Sequence, residues 1–430
     1  MSSEAIRELA FETGFCQRAS GKINAPDFFV HLCLESLNGT VSHNDLAARL
    51  ATQTGVSASR QAYWQRTTEP CVRFFQGILE RVILATCKPA ERERLRSGDR
   101  FKRILLQDST VIQLPLRLFA IFSGVRNATT AVCNARIQGV YDLQSGQFLH
   151  FSVDPYSRND QAATFDLRVE PGDLVLRDRG YFVLEAIAEH QQRGADSINR
   201  YKHGTALFDP DTGQKINLLD DLRHRGALDR EVLVGSHKGL KLRLLAVPVD
   251  EETANLRRMK AKKQTKGHAP SEELLKLMSW TIFLTTLSDP KITFKDLLAL
   301  YALRWRIENI FKTWKSHFSF AKVHNVSATQ LRVLLAARLI LITVLYHRLY
   351  LPLSRRIKDP GGLQLSLMKL MHYVSRNLDR LPELLAPGMG ADRLHRIVVR
   401  YCTYEKRRRT HFVAKMELIL LDISLIHDLD

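Results

Sequence analysis

The amino-acid sequence predicts a mixed α/β fold in which a β-rich middle lies between two helical regions. Residues 1–98 have helical apolar patterns. From Phe101 the chain changes to β-branched and apolar runs punctuated by Gly and Pro, which are typical of strands. From about Phe294 apolar residues again recur at intervals of three and four, as in helices. We therefore predict four regions: helical 1–98, an α/β core of 99–197 and 279–325, a β-rich insertion of 198–278, and helical 326–430.

The charge of the chain points to a polyanionic partner. Lys and Arg number 63 against 45 Asp and Glu, which gives a net charge of +18 and a pI near 9.8. Such a surface attracts nucleic acid before other partners. Composition alone is also compatible with a soluble protein that carries surplus basic side chains.

Cysteine spacing and hydropathy indicate a cytoplasmic protein without a membrane partner. The six cysteines form no C-x-x-C pair, so neither a zinc finger nor a disulfide framework is indicated. The start of the chain has no basic leader followed by an apolar run. The most apolar stretch, Val333 to Tyr346, is interrupted by Arg338 and is too short to span a bilayer. We expect it to be a buried helix.

Residues 42–67 have the outline of a helix-turn-helix motif. A helix capped by Ser42 is expected to end at a turn over Gly55-Val56, and Ser57 or Ser59 opens a second helix. In such a motif the second helix enters the major groove of DNA. An ordinary helical hairpin fits the pattern equally well. The second helix carries side chains of the types that contact bases and phosphates, namely Arg60, Gln61, Tyr63 and Arg66.

Two aspartates are predicted to lie at the ends of apolar strands. The run KRILLQDSTVIQLP predicts a strand that Asp108 closes, and Asp178 closes a buried strand, DLVLRD. Between them ARIQGVYDLQSGQFLHFSVDP predicts a hairpin. Carboxylates placed at strand ends can converge on one site.

A long helix is predicted from about Phe294 to Phe318. At about 100° per residue, one arc is apolar: Leu300, Leu303, Ile307, Ile310, Phe311, Trp314 and Phe318. A neighbouring arc is polar, because intervals of three, four and seven residues return to one azimuth: Tyr301, Arg304, Glu308 and Lys315. Taken alone, Arg304 and Glu308 fit a surface ion pair at i,i+4.

These residues carry a family resemblance. Tyr301-x2-Arg304-x3-Glu308-x6-Lys315 resembles the Y-R-E-K signature of the insertion-sequence-four family of DDE transposases. Q-D-S-T around Asp108 and D-R-G-Y-F around Asp178 resemble the two aspartate motifs of that family, in the expected order. The resemblance implies a ribonuclease-H-like catalytic core, interrupted by the β-rich insertion and preceded by a helical DNA-binding domain.

The resemblance assigns the chemistry to three carboxylates. Asp108, Asp178 and Glu308 offer hard oxygen donors, which suit two Mg²⁺ or Mn²⁺ ions. Such ions activate water or a 3′-hydroxyl and stabilise the leaving oxygen during phosphodiester hydrolysis and transesterification. The implied function is binding of terminal inverted repeats, strand cleavage and strand transfer into target DNA.

The resemblance also implies contacts with double-stranded DNA. Arg304 and Lys315 would hold phosphates, and Tyr301 would add a hydrogen bond or stack on a base. Trp280 lies where similar transposases have a base-stacking tryptophan, which serves hairpin formation at the element end, although a core position is equally compatible. Family members pair two ends, so a homodimer on DNA is implied. Two alternatives stay open, a DNA-binding regulator derived from a transposase and a structure-selective nuclease.

Overall fold

The structure is a computed structural model that describes residues 1–18, 22–37, 41–86, 100–122, 132–236, 239–264, 269–357, 363–378 and 389–404. Its chain divides into two compact units. The first unit comprises Met1–Arg92, Ser109–Arg158 and Ile307–Ala414. The second unit comprises Glu93–Asp108, Asn159–Arg306 and Lys415–Asp430. The end of the predicted C-terminal helical region, residues 405–430, lies outside the described residues.

The first unit begins with five described helices: α1 Ser3–Glu12, α2 Ala25–Ser36, α3 His43–Thr54, α4 Arg60–Arg66 and α5 Glu69–Thr86. The two helices predicted on either side of Gly55 are both present. Ser42 caps α3 by accepting the amides of Asn44 and Asp45, and Ser59 caps α4. Gly55 ends α3 with φ of 71°, a left-handed conformation in which glycine costs little.

The core of the first unit is built by α5 and α2 packed against α13, Ala328–Leu345. Arg338 lies fully buried in α13, where Nε donates to the carbonyl of Ser36 at 2.8 Å and Nη1 to that of Phe320 at 3.2 Å. Ala328–Ile357 has the length and hydropathy of a membrane span, but 67% of its most apolar window is buried. The predicted buried helix is confirmed, and the hydrogen bonds explain how it tolerates an arginine.

A hairpin in the first unit supports α12, Trp305–His317. Strands β2, Cys133–Asp142, and β3, Gln147–Pro155, pair antiparallel, and the strand order is β3-β2-β1. Phe148 on β3 lies 5.0 Å from Trp314 of α12 between ring centroids. At Gly139 a Cβ would stand 2.9 Å from Cζ of Phe311, so a larger residue there would force the Phe311 ring of this helix to shift. The unit ends with α14 Leu351–Ile357, α15 Leu367–Arg376 and α16 Met389–Tyr401.

The second unit contains a mixed sheet with the order β1-β4-β5-β9-β8-β7-β6. Its strands are β1 Arg103–Leu114, β4 Asp173–Arg177, β5 Asp196–Arg200, β6 Leu207–Phe208, β7 Leu228–Val234, β8 Leu240–Pro248 and β9 Trp280–Thr285. β1, β4 and β5 are parallel, and the others pair antiparallel. The strands of the predicted insertion, β6 to β8, extend this sheet through the β8–β9 pairing.

Helices of the second unit are α6 Asp160–Ala163, α7 Leu184–Gln192, α8 Leu218–Arg225, α9 Glu251–Gln264, α10 Glu272–Leu277 and α11 Phe294–Ala302. The predicted β-rich insertion thus also contains helices, among them α9. Arg257 on α9 donates to the carbonyl of Trp280 and the hydroxyl of Thr281, which ties this helix to β9.

The run predicted as the first strand forms β1, but the prediction that Asp108 closes this strand is wrong. β1 continues to Leu114, so Asp108 lies in mid-strand and does not close it. Residues 104–107 are all buried, whereas beyond Asp108 buried Thr110, Ile112 and Leu114 alternate with more exposed neighbours. Both faces of β1 are buried before Asp108, whereas only one face is buried after it. The continuous apolar run ends at Asp108 for this reason.

The single helix predicted from Phe294 to Phe318 is wrong, because α11 and α12 are separated at Leu303 and Arg304. The amides of Leu303, Arg304 and Arg306 each bond the carbonyl three residues earlier, which tightens the turn. A tight turn of this kind advances about 20° more per residue than an α-helix does. The spacing of the apolar residues therefore changes too little to reveal the break. The predicted apolar arc is nevertheless buried along its whole length.

Candidate active site

Asp108 and Asp178 occupy matching positions on neighbouring parallel strands. The β1–β4 register pairs Gln107 with Arg177, and each aspartate follows that last pair by one residue. The backbone at Asp178 is still extended, with φ of −75° and ψ of 164°. Because neighbouring strands lie about 4.8 Å apart, the two aspartates lie side by side.

The register is held at its other end by a buried ion pair. Arg103 and Asp173 are partners in the same ladder. Arg103 Nε lies 2.9 Å from Asp173 Oδ1 and Nη2 lies 2.6 Å from Oδ2, and the amide of Glu170 donates to Oδ2 at 2.7 Å. Asp173 is fully buried. This bidentate pair fixes which residue of β1 lies beside Asp178.

Residues just before the aspartates face away from them. Gln107 Nε2 donates to the carbonyl of Ala163 at 2.7 Å, and Arg177 Nη2 donates to that of Thr164 at 3.0 Å. Burial lowers the pKa of Arg177 to about 9. Because side chains alternate along a strand, Asp108 and Asp178 project from the opposite face of the sheet.

Tyr301 and Arg304 reach the aspartates from α11 and the turn after it. Arg304 Nη1 lies 3.7 Å from Asp108 Oδ2. The hydroxyl of Tyr301 donates to the carbonyl of Arg177 at 3.1 Å, immediately before Asp178. Burial raises the pKa of Tyr301, so it is a hydrogen-bond donor and not a phenolate at neutral pH. The second unit thus brings together four residues that the sequence analysis selected.

Two further residues of this cluster were missed by sequence reasoning. Trp305 has 53% of its surface exposed, and the guanidinium of Arg304 lies 5.5 Å from its ring centroid. Its position outside the apolar arc was the available signal. Arg200 on β5 lies 6.0 Å from the ring of Tyr301. Burial lowers the pKa of Arg200 to about 10, which still leaves it a cation at neutral pH.

Glu308 and Lys315 lie on α12 in the first unit. Glu308 is half-buried in the first turn of the helix, and Lys315 is exposed in its last turn. Seven residues separate them, so they share one face. Throughout the described part of the chain, no three His, Cys, Asp or Glu side chains are close enough together to hold a metal ion. The two adjacent aspartates are hard oxygen donors, which fits Mg²⁺ or Mn²⁺ in donor type.

A family model matches the part of the chain that contains these carboxylates. The Transposase DDE domain matches residues 99–344, which is more than half of the chain. The chain belongs to the DDE transposase family. The matched range contains the whole cluster around Asp108 and Asp178.

Similarity to named transposases extends over most of this DDE transposase. It is 27% identical over 415 residues to the transposase for insertion sequence element IS231B of Bacillus thuringiensis subsp. berliner, covering 88% of this chain and 86% of the relative. It is 27% identical to the IS231D transposase of B. thuringiensis subsp. finitimus, with 89% and 87% covered. The IS1151 transposase of Clostridium perfringens is 25% identical, with 78% and 76% covered. All three relatives are named as transposases of insertion sequence elements.

The other residues predicted to contact DNA have unequal access to solvent. Arg60 is exposed on α4, whereas Tyr63 of the same helix is fully buried and cannot reach a base. Arg66 Nη1 donates to the carbonyl of Ile23 at 2.8 Å, which makes it a structural contact. Trp280 is partly exposed, packs against the core of the insertion, and donates from Nε1 to the carbonyl of Gly226 at 2.8 Å.

Proposed function

We propose that this DDE transposase binds the terminal inverted repeats of an insertion sequence, cuts the DNA there and joins the ends to target DNA. The observation that carries the proposal is the pair of aspartates at matching positions of β1 and β4. Cut-and-paste transposition with hairpin ends is the route that we propose, as in the insertion-sequence-four family. The partners are duplex DNA and a second copy of the chain on DNA, in the cytoplasm.

A ribonuclease-H-like core is part of this proposal. Its support is the strand order β3-β2-β1 in one unit and β1-β4-β5 in the other, with β1, β4 and β5 parallel and β2 antiparallel to β3. Asp108 on the first strand and Asp178 directly after the fourth agree with that core, as does Glu308 on a later helix. The fold also serves nucleases, so the proposed function depends on the site.

Asp108, Asp178 and Glu308 are the residues that we propose would hold two Mg²⁺ or Mn²⁺ ions. When bound, the ions supply an activated water or 3′-hydroxyl and stabilise the leaving oxygen. Glu308 is included because it occupies the glutamate position of the Y-R-E-K signature, four residues after Arg304. The guanidinium of Arg304 itself approaches Asp108. Tyr301 anchors the backbone before Asp178 and so orients that carboxylate.

Arg304 and Lys315 are the proposed phosphate contacts. Arg304→Gln and Lys315→Gln should each lower strand cutting by about 10²-fold, because a positioned cation beside the scissile phosphate is lost. Initial end binding should fall by no more than about threefold, because distant basic residues share that electrostatic term. A denaturing gel of one labelled end and a gel shift in EDTA measure the two effects.

Matched variants separate charge from packing at these positions. Arg304→Lys should recover part of the cutting if charge is what matters, and exposed Lys322→Gln should change neither step. An equal loss of binding and cutting in Arg304→Gln and Lys315→Gln would assign both cations to general DNA attraction.

Trp280 is the proposed base-stacking residue. Trp280→Ala should lower formation of the hairpin product by about 5- to 150-fold, which is the worth of one base–aromatic stack, and leave the first nick unchanged. Trp280→Phe should retain most of the hairpin step. The same denaturing gel resolves nicked, hairpin and double-strand-broken DNA. The base-stacking role is excluded if Trp280→Ala loses nicking as completely as Glu308→Gln does, or if its products are unchanged. Trp280 would then be a residue that only packs in the core of the insertion.

The proposed function is tested with wild-type protein and the DNA that flanks its gene. Inverted repeats should bracket the gene, and Mg²⁺ should produce a cut at their outer ends that EDTA suppresses. Binding to these ends without any cut in Mg²⁺ or Mn²⁺ would support the regulator instead. Cutting that follows DNA structure and ignores the repeats would support the nuclease.

A further inference from the structure

The exposed face of α4 lines a cleft in the first unit with a volume of about 720 Å³. Arg60, Trp64 and Gln65 form one wall. The start of α3, Arg117 and residues 324–330 at the start of α13 form the rest. A cleft of this size is in the range that holds one small ligand.

The fixed charge of the cleft is positive. Arg60 and Arg117 are exposed cations, and none of the described lining residues is acidic. Within the described chain, neither arginine has a carboxylate within 4 Å. Arginine guanidinium groups suit phosphate because they donate two parallel hydrogen bonds.

Two histidines add neutral hydrogen-bonding groups to this cleft. Burial lowers the pKa of His43, and neighbouring His324 lowers it further. Burial also lowers the pKa of His324, with a smaller contribution from Arg338. At neutral pH both rings are therefore uncharged, and the attraction for an anion comes from the two arginines.

Trp64 supplies an aromatic surface beside these cations. It has 59% of its surface exposed, although tryptophan is usually highly buried. It lies one turn after Arg60 on α4, so the two side chains share a face. An exposed indole next to guanidinium groups is the combination with which proteins hold an unstacked base and its phosphate.

The helix starts in the lining favour the same ligand. Ser42 to Asn44 at the start of α3 and Ser327 to Gln330 at the start of α13 both lie in the cleft. The amino ends of helices carry partial positive charge, which attracts phosphate oxygens. They add to the arginines and would not by themselves define a site.

We propose that this cleft binds one unpaired nucleotide of a DNA strand, with its base stacked on Trp64 and its phosphates held by Arg60 and Arg117. This proposal rests on the proposed function for its ligand class, DNA, but not on the chemistry at Asp108. It assigns to α4 a contact with a single strand in addition to any contact with a duplex. Its chemistry is sequence-tolerant, because every base has a face that can stack.

The test is equilibrium binding of a 12-nucleotide oligothymidylate and of a 12-base-pair duplex to the full chain, in EDTA and over the same series of salt concentrations. Trp64→Ala should weaken oligothymidylate binding by about 5- to 150-fold and duplex binding by no more than about threefold. Trp64→Phe should retain most of the affinity. Arg60→Ala and Arg117→Gln should weaken oligothymidylate binding and reduce its salt dependence.

Tyr401→Ala is the matched control, because Tyr401 is an equally exposed aromatic residue of the same unit outside this cleft. It should leave binding of both DNAs unchanged. Equal loss of duplex and oligothymidylate binding in Trp64→Ala, or no loss of either, would overturn the proposal. If wild-type protein cuts element ends while Trp64→Ala behaves like wild type, the cleft assignment fails and the proposed function stands. If wild type binds neither DNA, the cleft assignment fails, whereas the proposed function fails only if the element ends are neither bound nor cut.

Discussion

Asp108→Asn, Asp178→Asn and Glu308→Gln are each expected to lower strand cutting at the element end by about 10³-fold or more, because each removes a metal-ligand charge worth several kcal/mol in the transition state. The changes preserve side-chain shape, so folding should be retained. Binding to the end in EDTA should stay within about twofold of wild type, since most of that affinity comes from basic residues elsewhere. Single-turnover nicking in Mg²⁺ and gel shifts in EDTA measure the two quantities.

The control for these variants is Glu252→Gln, which removes an exposed carboxylate in the first turn of α9. It should cut like wild type. A substituted Asp108, Asp178 or Glu308 that still nicks at the wild-type rate would remove that residue from the site. Equal loss of cutting and of end binding would point to misfolding or to a binding role.

Asp173→Ala is expected to have the largest effect on stability. Asp173 is fully buried and accepts two hydrogen bonds from Arg103 and one from the amide of Glu170. Removing one partner of a buried ion pair costs about 3–5 kcal/mol when the other is left uncompensated, and we expect about 3 kcal/mol here because Arg103 keeps Glu170 at 3.6 Å. The free energy of unfolding should fall by that amount in a urea titration, and cutting should fall with it because the β1–β4 register positions Asp108.

Glu170→Ala provides the comparison for Asp173→Ala. Glu170 is exposed and lies 3.6 Å from Arg103 Nη1, so losing it should cost less than about 1 kcal/mol. Equal urea midpoints for Asp173→Ala and Glu170→Ala would show that the ion pair of Arg103 with Asp173 does not hold the β1–β4 register.

Much of the fold could be predicted from the sequence because local signals agree with it. Ser42, Ser59 and Gly55 mark helix ends by caps and backbone conformation, and these act within a few residues. The buried arc from Leu300 to Phe318 follows from periodicity alone. The break at Leu303 and the mid-strand position of Asp108 did not follow, because both depend on what covers each face in the folded chain.

Prediction of the site was uneven for a similar reason. Carboxylates after apolar strands pointed to Asp108 and Asp178, but only strand pairing could show that both follow the pair Gln107 and Arg177. Tyr63 has a DNA-binding side-chain type and is nevertheless buried, whereas Trp64 beside it was passed over and is exposed. Composition of a short helix does not determine which face packs against its neighbours.

Cysteine substitution with a change of metal tests the central claim most directly, that Asp178 acts by holding a metal ion during strand cutting. A thiolate is a poor ligand for Mg²⁺ and a better one for softer divalent ions. Asp178→Cys should be inactive in Mg²⁺ and should regain nicking at the element end in Mn²⁺, while Asp178→Asn stays inactive in both. An Asp178→Cys variant that cuts equally well in Mg²⁺ and Mn²⁺ would contradict the account.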